Sequence, residues 1–150
     1  MARLGRAELI AAVGGVLLVA GLFLPWYRTD PDNPNAVIDG ETGSLSGWEV
    51  HPVLRWLLLA AASAPFILIW IVIREHELSW PRGELTAVIG LTAATLVFYI
   101  GIIDRPGEPS GQIELEIGWY GAMLGSVLSA AGGALRSSES ERRRKPPGVL

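Results

Sequence analysis

The sequence predicts an all-α membrane protein, a bundle of four transmembrane helices with a small extracellular β-sheet as a cap. Half of the 150 residues are hydrophobic and only 18% are charged, whereas soluble domains usually carry about 25% charge. Four stretches without a formal charge, residues 9–26, 56–73, 85–103 and 118–135, each reach the roughly 18 residues that a membrane-spanning helix requires. The composition excludes a soluble enzyme and a disordered chain, and the absence of cysteine excludes a disulfide-built domain and thiolate chemistry.

The distribution of cations predicts which side of the membrane each segment faces. With four spans and a cytoplasmic N-terminus, nine Lys and Arg residues lie inside and three lie outside, as the positive-inside rule requires. The inner set is Arg3, Arg6, Arg74, Arg82, Arg136, Arg142, Arg143, Arg144 and Lys145, and the outer set is Arg28, Arg55 and Arg105. Both termini are therefore expected in the cytoplasm. The first helix is expected to be retained rather than cleaved as a signal peptide, since no clear cleavage site follows it.

The first two helices are predicted over residues 9–26 and 53–73, within a single membrane domain that covers residues 1–135. The second helix is bulkier and contains Pro65 near its middle. Five tryptophans lie at or beside predicted helix ends, where tryptophan anchors a protein at the membrane surface. These predicted anchors are Trp26, Trp56, Trp70, Trp80 and Trp119.

Two segments of the outer loops have the pattern of short strands. In residues 112–117, the apolar residues Ile113, Leu115 and Ile117 alternate with polar ones, a period of two. Residues 44–50 form the second candidate. We expect these two segments to pair into a sheet that caps the bundle, with Trp48 packed beneath it. The loops also carry many carboxylates. Asp30 and Asp32 suggest a calcium site, but the rest of a calcium loop is missing, so a solvated acidic surface is favoured.

The third and fourth helices are predicted over residues 85–103 and 118–135. In the fourth, small residues recur every four positions, which forms a ridge that lets another helix backbone approach closely. The ridge consists of Gly121, Gly125, Ser129 and Gly133. It predicts close packing, either within the bundle, which is favoured, or against a second copy or a partner protein.

The remaining residues, 136–150, are predicted to form a flexible, basic cytoplasmic tail. Four consecutive cations, Arg142, Arg143, Arg144 and Lys145, stand near the last helix. Such a cluster attracts anionic lipid headgroups, at about 1 kcal/mol per residue near the surface. An equally good interpretation is that these cations only fix the topology.

Groups that carry chemistry are scarce in the predicted spans. No ionisable residue lies in the middle of a span, whereas transporters and proton relays require such residues. Glu8 and Glu84 stand at helix starts, where a carboxylate favours the helix dipole. His51 and His76 are predicted on opposite sides of the membrane, so they cannot share a ligand. We therefore expect no enzyme activity, no cofactor, no metal and no nucleic-acid partner.

Short motifs carry a resemblance to a loose class of proteins. The first helix ends in Phe23-Leu24-Pro25-Trp26-Tyr27, the first outer loop closes in Ser46-Gly47-Trp48, and Gly118-Trp119-Tyr120-Gly121 leads into a glycine-rich last helix. In this order the chain resembles uncharacterised small four-helix membrane proteins of high-GC bacteria. The resemblance implies a bacterial inner (plasma) membrane location and no particular activity. The architecture is also similar, more distantly, to that of claudin-like four-helix proteins, although the paired loop cysteines of those proteins are missing.

Three functions remain open at this point. The favoured one is a structural or accessory protein of the cell envelope that acts through helix and outer-loop contacts, with the lipid bilayer and a membrane protein or a second copy as partners. The alternative is a protein that binds a lipid or another hydrophobic ligand in a pocket lined by Pro65, Trp56, Trp70 and Phe66. A small channel or transporter is the least favoured, because the sequence shows no polar pathway.

Overall fold

The structure, a computed structural model, describes residues 4–74 and 83–144, with side chains as far as Arg142. Within these residues the helices are α1 (Arg6–Phe23), α2 (Gly47–Val50), α3 (Leu54–Ile73), α4 (Glu84–Phe98) and α5 (Ile117–Arg144). A π-helical turn, Tyr99–Ile103, continues α4. The strands are β1 (Pro25–Thr29), β2 (Ser44–Ser46) and β3 (Ile113–Leu115). A mostly helical protein with a small sheet, as predicted, is confirmed.

Three of these helices are long and apolar enough to cross a membrane. They are α1, α3 and the continuous helix Glu84–Ile103 that α4 forms with the π-helical turn. Helix α5 is longer than any of them, but its glycines and serines lower the mean hydropathy even of its uncharged part, and it is not in this group. The structure thus confirms three of the predicted apolar helices.

The four long helices pack in a ring in which α1 lies between α3 and α5, and α4 lies between α5 and α3. The closest approach is between α1 and α5, where backbone meets backbone. A Cβ atom on Gly14 would lie 2.6 Å from the Gly125 carbonyl oxygen, and a Cβ atom on Gly125 would lie 2.6 Å from the Gly14 carbonyl oxygen. Only glycine permits this contact, because small residues let two helix backbones approach closely.

The residues of α5 that face α1 recur at alternating steps of four and three. They are Gly118, Ala122, Gly125, Ser129 and Gly132. Gly133 instead faces α4, where a Cβ atom would lie 2.7 Å from the Gly83 carbonyl oxygen, and Gly121 has only the Cα of Gly21 nearby, at 3.6 Å. Four residues rotate a helix by about 400°, so a strict four-residue repeat drifts round its surface. The predicted ridge is therefore divided between two neighbouring helices of the same chain.

The sheet has the order β2-β1-β3, and both pairs are antiparallel. In this register Tyr27 of β1 lies opposite Leu45 of β2 and opposite Leu115 of β3. The predicted pairing of residues 44–50 with residues 112–117 is wrong, because β1 lies between them. The predicted strand after Ser44 is also shorter, since Ser46 caps α2: its hydroxyl accepts from the backbone N–H of Glu49. Ile117, predicted in the strand, is the first residue of α5.

Helix α1 ends three residues before the predicted end at Trp26, because Pro25 cannot continue the helix. Trp26 lies in β1 with its side chain fully buried, and its indole N–H donates to the Gly21 carbonyl at 2.8 Å. Trp119 is buried as well, and its indole N–H donates to the Val97 carbonyl at 2.9 Å. The expectation that these two tryptophans anchor the protein at the membrane surface is wrong. Both rings are buried, and each indole N–H bonds to a carbonyl near the end of α1 or α4.

The bundle has two distinct ends, which we call the sheet end and the tail end. The tail end contains the start of α1, the end of α3, the start of α4 and the end of α5. Helix α5 does not stop at residue 135 but continues to Arg144, so the first nine residues of the predicted tail are helical. Lys145, like Trp80, lies outside the described residues.

Candidate functional site

An apolar groove of about 360 Å³ lies between α3 and α4, and we call it the α3–α4 groove. Its lining consists of Leu57, Leu58, Ala60, Ala61, Ile89, Thr92, Ala93 and Leu96. Thr92 is the one polar residue in this lining, and its hydroxyl donates to the Val88 carbonyl of its own helix at 2.8 Å. The groove therefore presents apolar surface and no reactive group.

The helix sequences explain why a groove forms here. Elsewhere in the ring, glycines allow backbones to touch, whereas α3 contributes leucine and alanine to this interface and contains no glycine. Leucines and Ile89 hold the helices apart at the edges, and the small side chains of Ala60, Ala61 and Ala93 leave space between them. Sequence analysis missed this site because it depends on the separation of two helices rather than on one residue pattern.

The residues predicted to line a lipid pocket lie elsewhere, so that prediction is corrected. Pro65 is buried towards α1, where a Cβ atom on Gly15 would lie 3.3 Å from its ring and 3.1 Å from the ring of Phe66. Trp56 and Trp70 are both exposed on α3. None of these four residues lines the α3–α4 groove.

A second candidate region is an aromatic cluster at the sheet end. Trp48 lies on α2 and stacks on Phe23 with ring centroids 4.8 Å apart, and its ring meets Trp56 edge to face at 5.2 Å. Trp48 thus lies beside the top of α1 and α3 rather than beneath the sheet. Of the predicted cap residues, Ile113 is buried in the core, Leu115 is partly buried against it, and Ile117 is exposed.

The sheet also covers a pair of polar rings, those of Tyr27, which is fully buried, and His51, which is partly buried. The Tyr27 hydroxyl and His51 Nε2 lie 2.9 Å apart, and the Trp26 ring lies edge to face against His51 at 5.7 Å. Burial lowers the pKa of His51 from its usual value of 6.5 to about 4, against the opposing attraction of Asp39 and Asp104. Burial also raises the pKa of Tyr27 well above its usual value, which Arg105 partly opposes. Both side chains are therefore neutral at pH 7, joined by a hydrogen bond between neutral groups.

Acid is expected to destabilise this cap between about pH 6.5 and pH 4. An unfolded His51 takes up a proton near pH 6.5, whereas the folded one does so only near pH 4. In that window the unfolded state binds more protons, so the free energy of unfolding falls as the pH falls, by at most about 1.4 kcal/mol per pH unit. In a His76→Gln background, where His51 is the one remaining histidine, the ring signals in NMR measure its pKa. A midpoint at or above 6.5 contradicts the prediction, and a further His51→Gln change should remove the acid effect on amide exchange at the sheet.

At the tail end, two charged side chains are buried together. Glu8 is fully buried, and its Oε1 lies 3.0 Å from Nε of Arg136, whose side chain is 10% exposed. The Nε–H does not point at that oxygen, so the contact is an ion pair rather than a linear hydrogen bond. The other oxygen of Glu8 accepts from the Gly5 N–H at 2.8 Å, and Arg136 also lies 3.5 Å from exposed Glu139. Glu8 therefore does more than favour the helix dipole, because it joins the start of α1 to α5.

The acidic loop is organised by its own side chains. Asp30 accepts from the Asp32 N–H at 2.9 Å, Asn33 accepts from the Asn35 N–H at 3.0 Å, and the Asn33 and Gln112 side chains bond to each other. Among residues 4–74 and 83–142, no three His, Asp or Glu side chains are placed to hold a metal ion. Of the predicted headgroup-binding cations, Arg142 is exposed on the last turns of α5, and Arg143 and Arg144 continue that helix.

No protein-family model, no curated protein and no solved structure matches the chain.

Proposed function

We propose that the protein is a non-enzymatic, multi-pass protein of the bacterial inner membrane that serves as a structural or accessory component of the cell envelope. Three helices with the length and apolarity of membrane spans support the membrane location. The resemblance to small four-helix proteins of high-GC bacteria supports a bacterial envelope. The proposal has two further parts, a fourth span and a membrane-facing contact surface.

The fourth span in this proposal is α5. It runs beside α1 from Gly118, near Leu24, to Arg136, near Glu8, so the two helices cover the same depth. Within that stretch its serines and most of its glycines face protein, while its exposed apolar residues, among them Leu124 and Val127, face outward. A helix needs an apolar surface only where lipid touches it, which supports a span in spite of its low mean hydropathy.

The placement of cations supports cytoplasmic termini. The sheet end holds Arg28, Arg55 and Arg105, and the described part of the tail end holds Arg6, Arg74, Arg136 and Arg142. In the sequence, Arg82 precedes α4, and Arg143, Arg144 and Lys145 follow Arg142 directly. Under the positive-inside rule the tail end faces the cytoplasm and the sheet faces outward.

The observation that carries the accessory role is the α3–α4 groove. It opens on the apolar side of the bundle, and its alanines would let the backbone of another helix approach closely. The proposed occupant is a transmembrane helix of a partner protein. The alternative occupant is a lipid or another hydrophobic ligand. The groove's volume is compatible with it, since ligand pockets measure about 300–1,000 Å³.

Site-directed crosslinking tests the groove, and the chain suits it because it contains no cysteine. Ala60→Cys places a single thiol in the groove, and Phe66→Cys places one on an exposed part of α3 outside it. Each variant is labelled with a benzophenone maleimide in native membranes and irradiated. We expect a discrete protein adduct from position 60 and none from position 66.

The adduct identifies the occupant by mass. An adduct with another protein supports the accessory role, an adduct with a second copy supports self-assembly, and a lipid adduct confined to position 60 favours the hydrophobic-ligand alternative. Equal adducts from positions 60 and 66 contradict a specific occupant of the groove.

A further inference from the structure

Arg55 lies at the second position of α3, at the sheet end of the bundle. Exposed apolar side chains surround this level of the molecule, including Phe23, Val53 and Trp56. Exposed tryptophan near a helix end, here Trp56, is typical of the depth at which a bilayer's hydrocarbon meets its headgroups. A partly buried guanidinium at this depth lies where lipid phosphates lie.

Two tryptophans hold the Arg55 guanidinium in place. Its Cζ lies 5.0 Å from the centroid of the Trp48 ring and 5.8 Å from that of Trp56. One terminal nitrogen, Nη1, donates to the Trp48 carbonyl at 3.2 Å. Both cation–π contacts and this bond restrict the guanidinium plane, so its remaining N–H groups are preorganised.

The charge on Arg55 has no counter-charge within the described residues. Its Nε is buried without a hydrogen-bond partner, and no described carboxylate forms an ion pair with it. The acidic side chain of α2, Glu49, instead accepts from the N–H and the hydroxyl of Ser46.

The other two sheet-end arginines differ from Arg55 because each has partners in the protein. Arg28 pairs with Glu116 at 3.9 Å, and Arg105 donates to the carbonyls of Gly101 and Ile113. An arginine at membrane depth is costly unless its charge is paired, and Arg55 has no ion-pair partner among the described residues. An anion from outside the chain, bound at the terminal nitrogens rather than at the buried Nε, would supply the missing charge.

We propose that Arg55, Trp48 and Trp56 bind the phosphate of an anionic phospholipid headgroup in the leaflet at the sheet end. A guanidinium presents parallel N–H groups that match phosphate oxygens. The indole rings are amphipathic and suit the headgroup level, and the acyl chains would lie along the exposed rings of Phe23 and Trp56. The site does not involve the α3–α4 groove, so it stands whatever occupies that groove.

Native mass spectrometry of delipidated protein in detergent tests the site, with phosphatidylglycerol as the probe. Arg55→Gln is expected to weaken phosphatidylglycerol binding by about tenfold or more, the size of effect expected when a charged hydrogen bond is lost. Arg28→Gln removes an equal charge from the same end and is expected to leave binding unchanged. Trp56→Leu keeps the arginine and removes one of the two indole rings beside it. We expect lipid binding to weaken by a factor of a few, while the protein stays folded.

Near-ultraviolet circular dichroism shows whether the aromatic cluster remains folded in each variant. Unchanged binding by Arg55→Gln overturns the proposal, since the guanidinium is the group proposed to bind the phosphate. Equal losses from Arg28→Gln and Arg55→Gln overturn it as well, because they indicate a general effect of surface charge. Displacement of the lipid by millimolar inorganic phosphate would assign the site to a free anion instead.

Discussion

Arg136→Gln is expected to destabilise the bundle by about 3–5 kcal/mol, the cost of breaking a buried ion pair from one side. The substitution leaves Glu8 fully buried, with one oxygen bonded to the Gly5 N–H and the other without a charged partner. The free energy of unfolding, measured by denaturant titration in mixed micelles, gives the size of the loss.

Two further variants test whether the loss of stability comes from the Glu8–Arg136 ion pair itself. Glu139 is the exposed neighbour of Arg136, with 47% of its side chain accessible. Glu139→Gln is therefore expected to change the free energy of unfolding by less than about 1 kcal/mol. The double variant Glu8→Leu/Arg136→Met removes both charges and fills similar space. It is expected to regain wild-type stability or exceed it. If Arg136→Gln unfolds at the wild-type denaturant concentration, the buried pair does not stabilise the fold.

Gly125→Ala is expected to destabilise the protein, and Gly121→Ala is expected to stabilise it slightly. A methyl group at position 125 would lie 2.6 Å from the Gly14 carbonyl oxygen and still closer to the Leu18 backbone nitrogen, and neither atom can move without separating α1 from α5. Such overpacking costs about 1–3 kcal/mol. At position 121 the nearest atom lies 3.6 Å away, so the gain in helix propensity, about 1 kcal/mol, is retained.

The matched pair compares the same substitution four residues apart on one helix. Thermal unfolding of both variants in one detergent should give midpoints on opposite sides of the wild type. Equal midpoints would show that the α1–α5 interface is less tight than the structure describes. Because Gly125 faces α1 of its own chain, substitutions there report on the fold of the single chain and not on self-association.

Much of the helical architecture could be predicted from hydropathy alone. The boundaries of α3 fall within one residue of those expected, because Arg55 and Arg74 flank a continuous apolar run. The order of strands could not be predicted in this way. Residues 25 and 26 follow an apolar helix without a polar break, so hydropathy places them at its end, although Pro25 and the β-favouring sequence Trp-Tyr-Arg-Thr mark the start of a strand.

The charged pair at the tail end escaped the sequence analysis for a different reason. Glu8 and Arg136 are far apart in the sequence, and each has an ordinary local explanation, one at a helix start and the other in a basic segment. The signal was the spacing, since the four-and-three alternation of small residues on α5 continues from Ser129 and Gly132 to Arg136. A strict four-residue pattern missed this position. The Arg55 cluster was missed because it depends on α2 turning Trp48 back onto α1.

The packing of α1 against α5 joins two segments that the ribosome synthesises at very different times. The Ser129 hydroxyl donates to the Ala11 carbonyl across 118 residues of sequence. At about 5–20 residues per second, α1 waits roughly 6–24 s for this partner to be synthesised. During that interval the glycines of α1 that face α5, Gly14 and Gly21, are uncovered and Glu8 has no arginine partner, so α1 has only part of its packing until the last helix is synthesised. A premature stop codon before α5 is thus expected to yield a product that quality-control proteases remove rather than a shorter working protein.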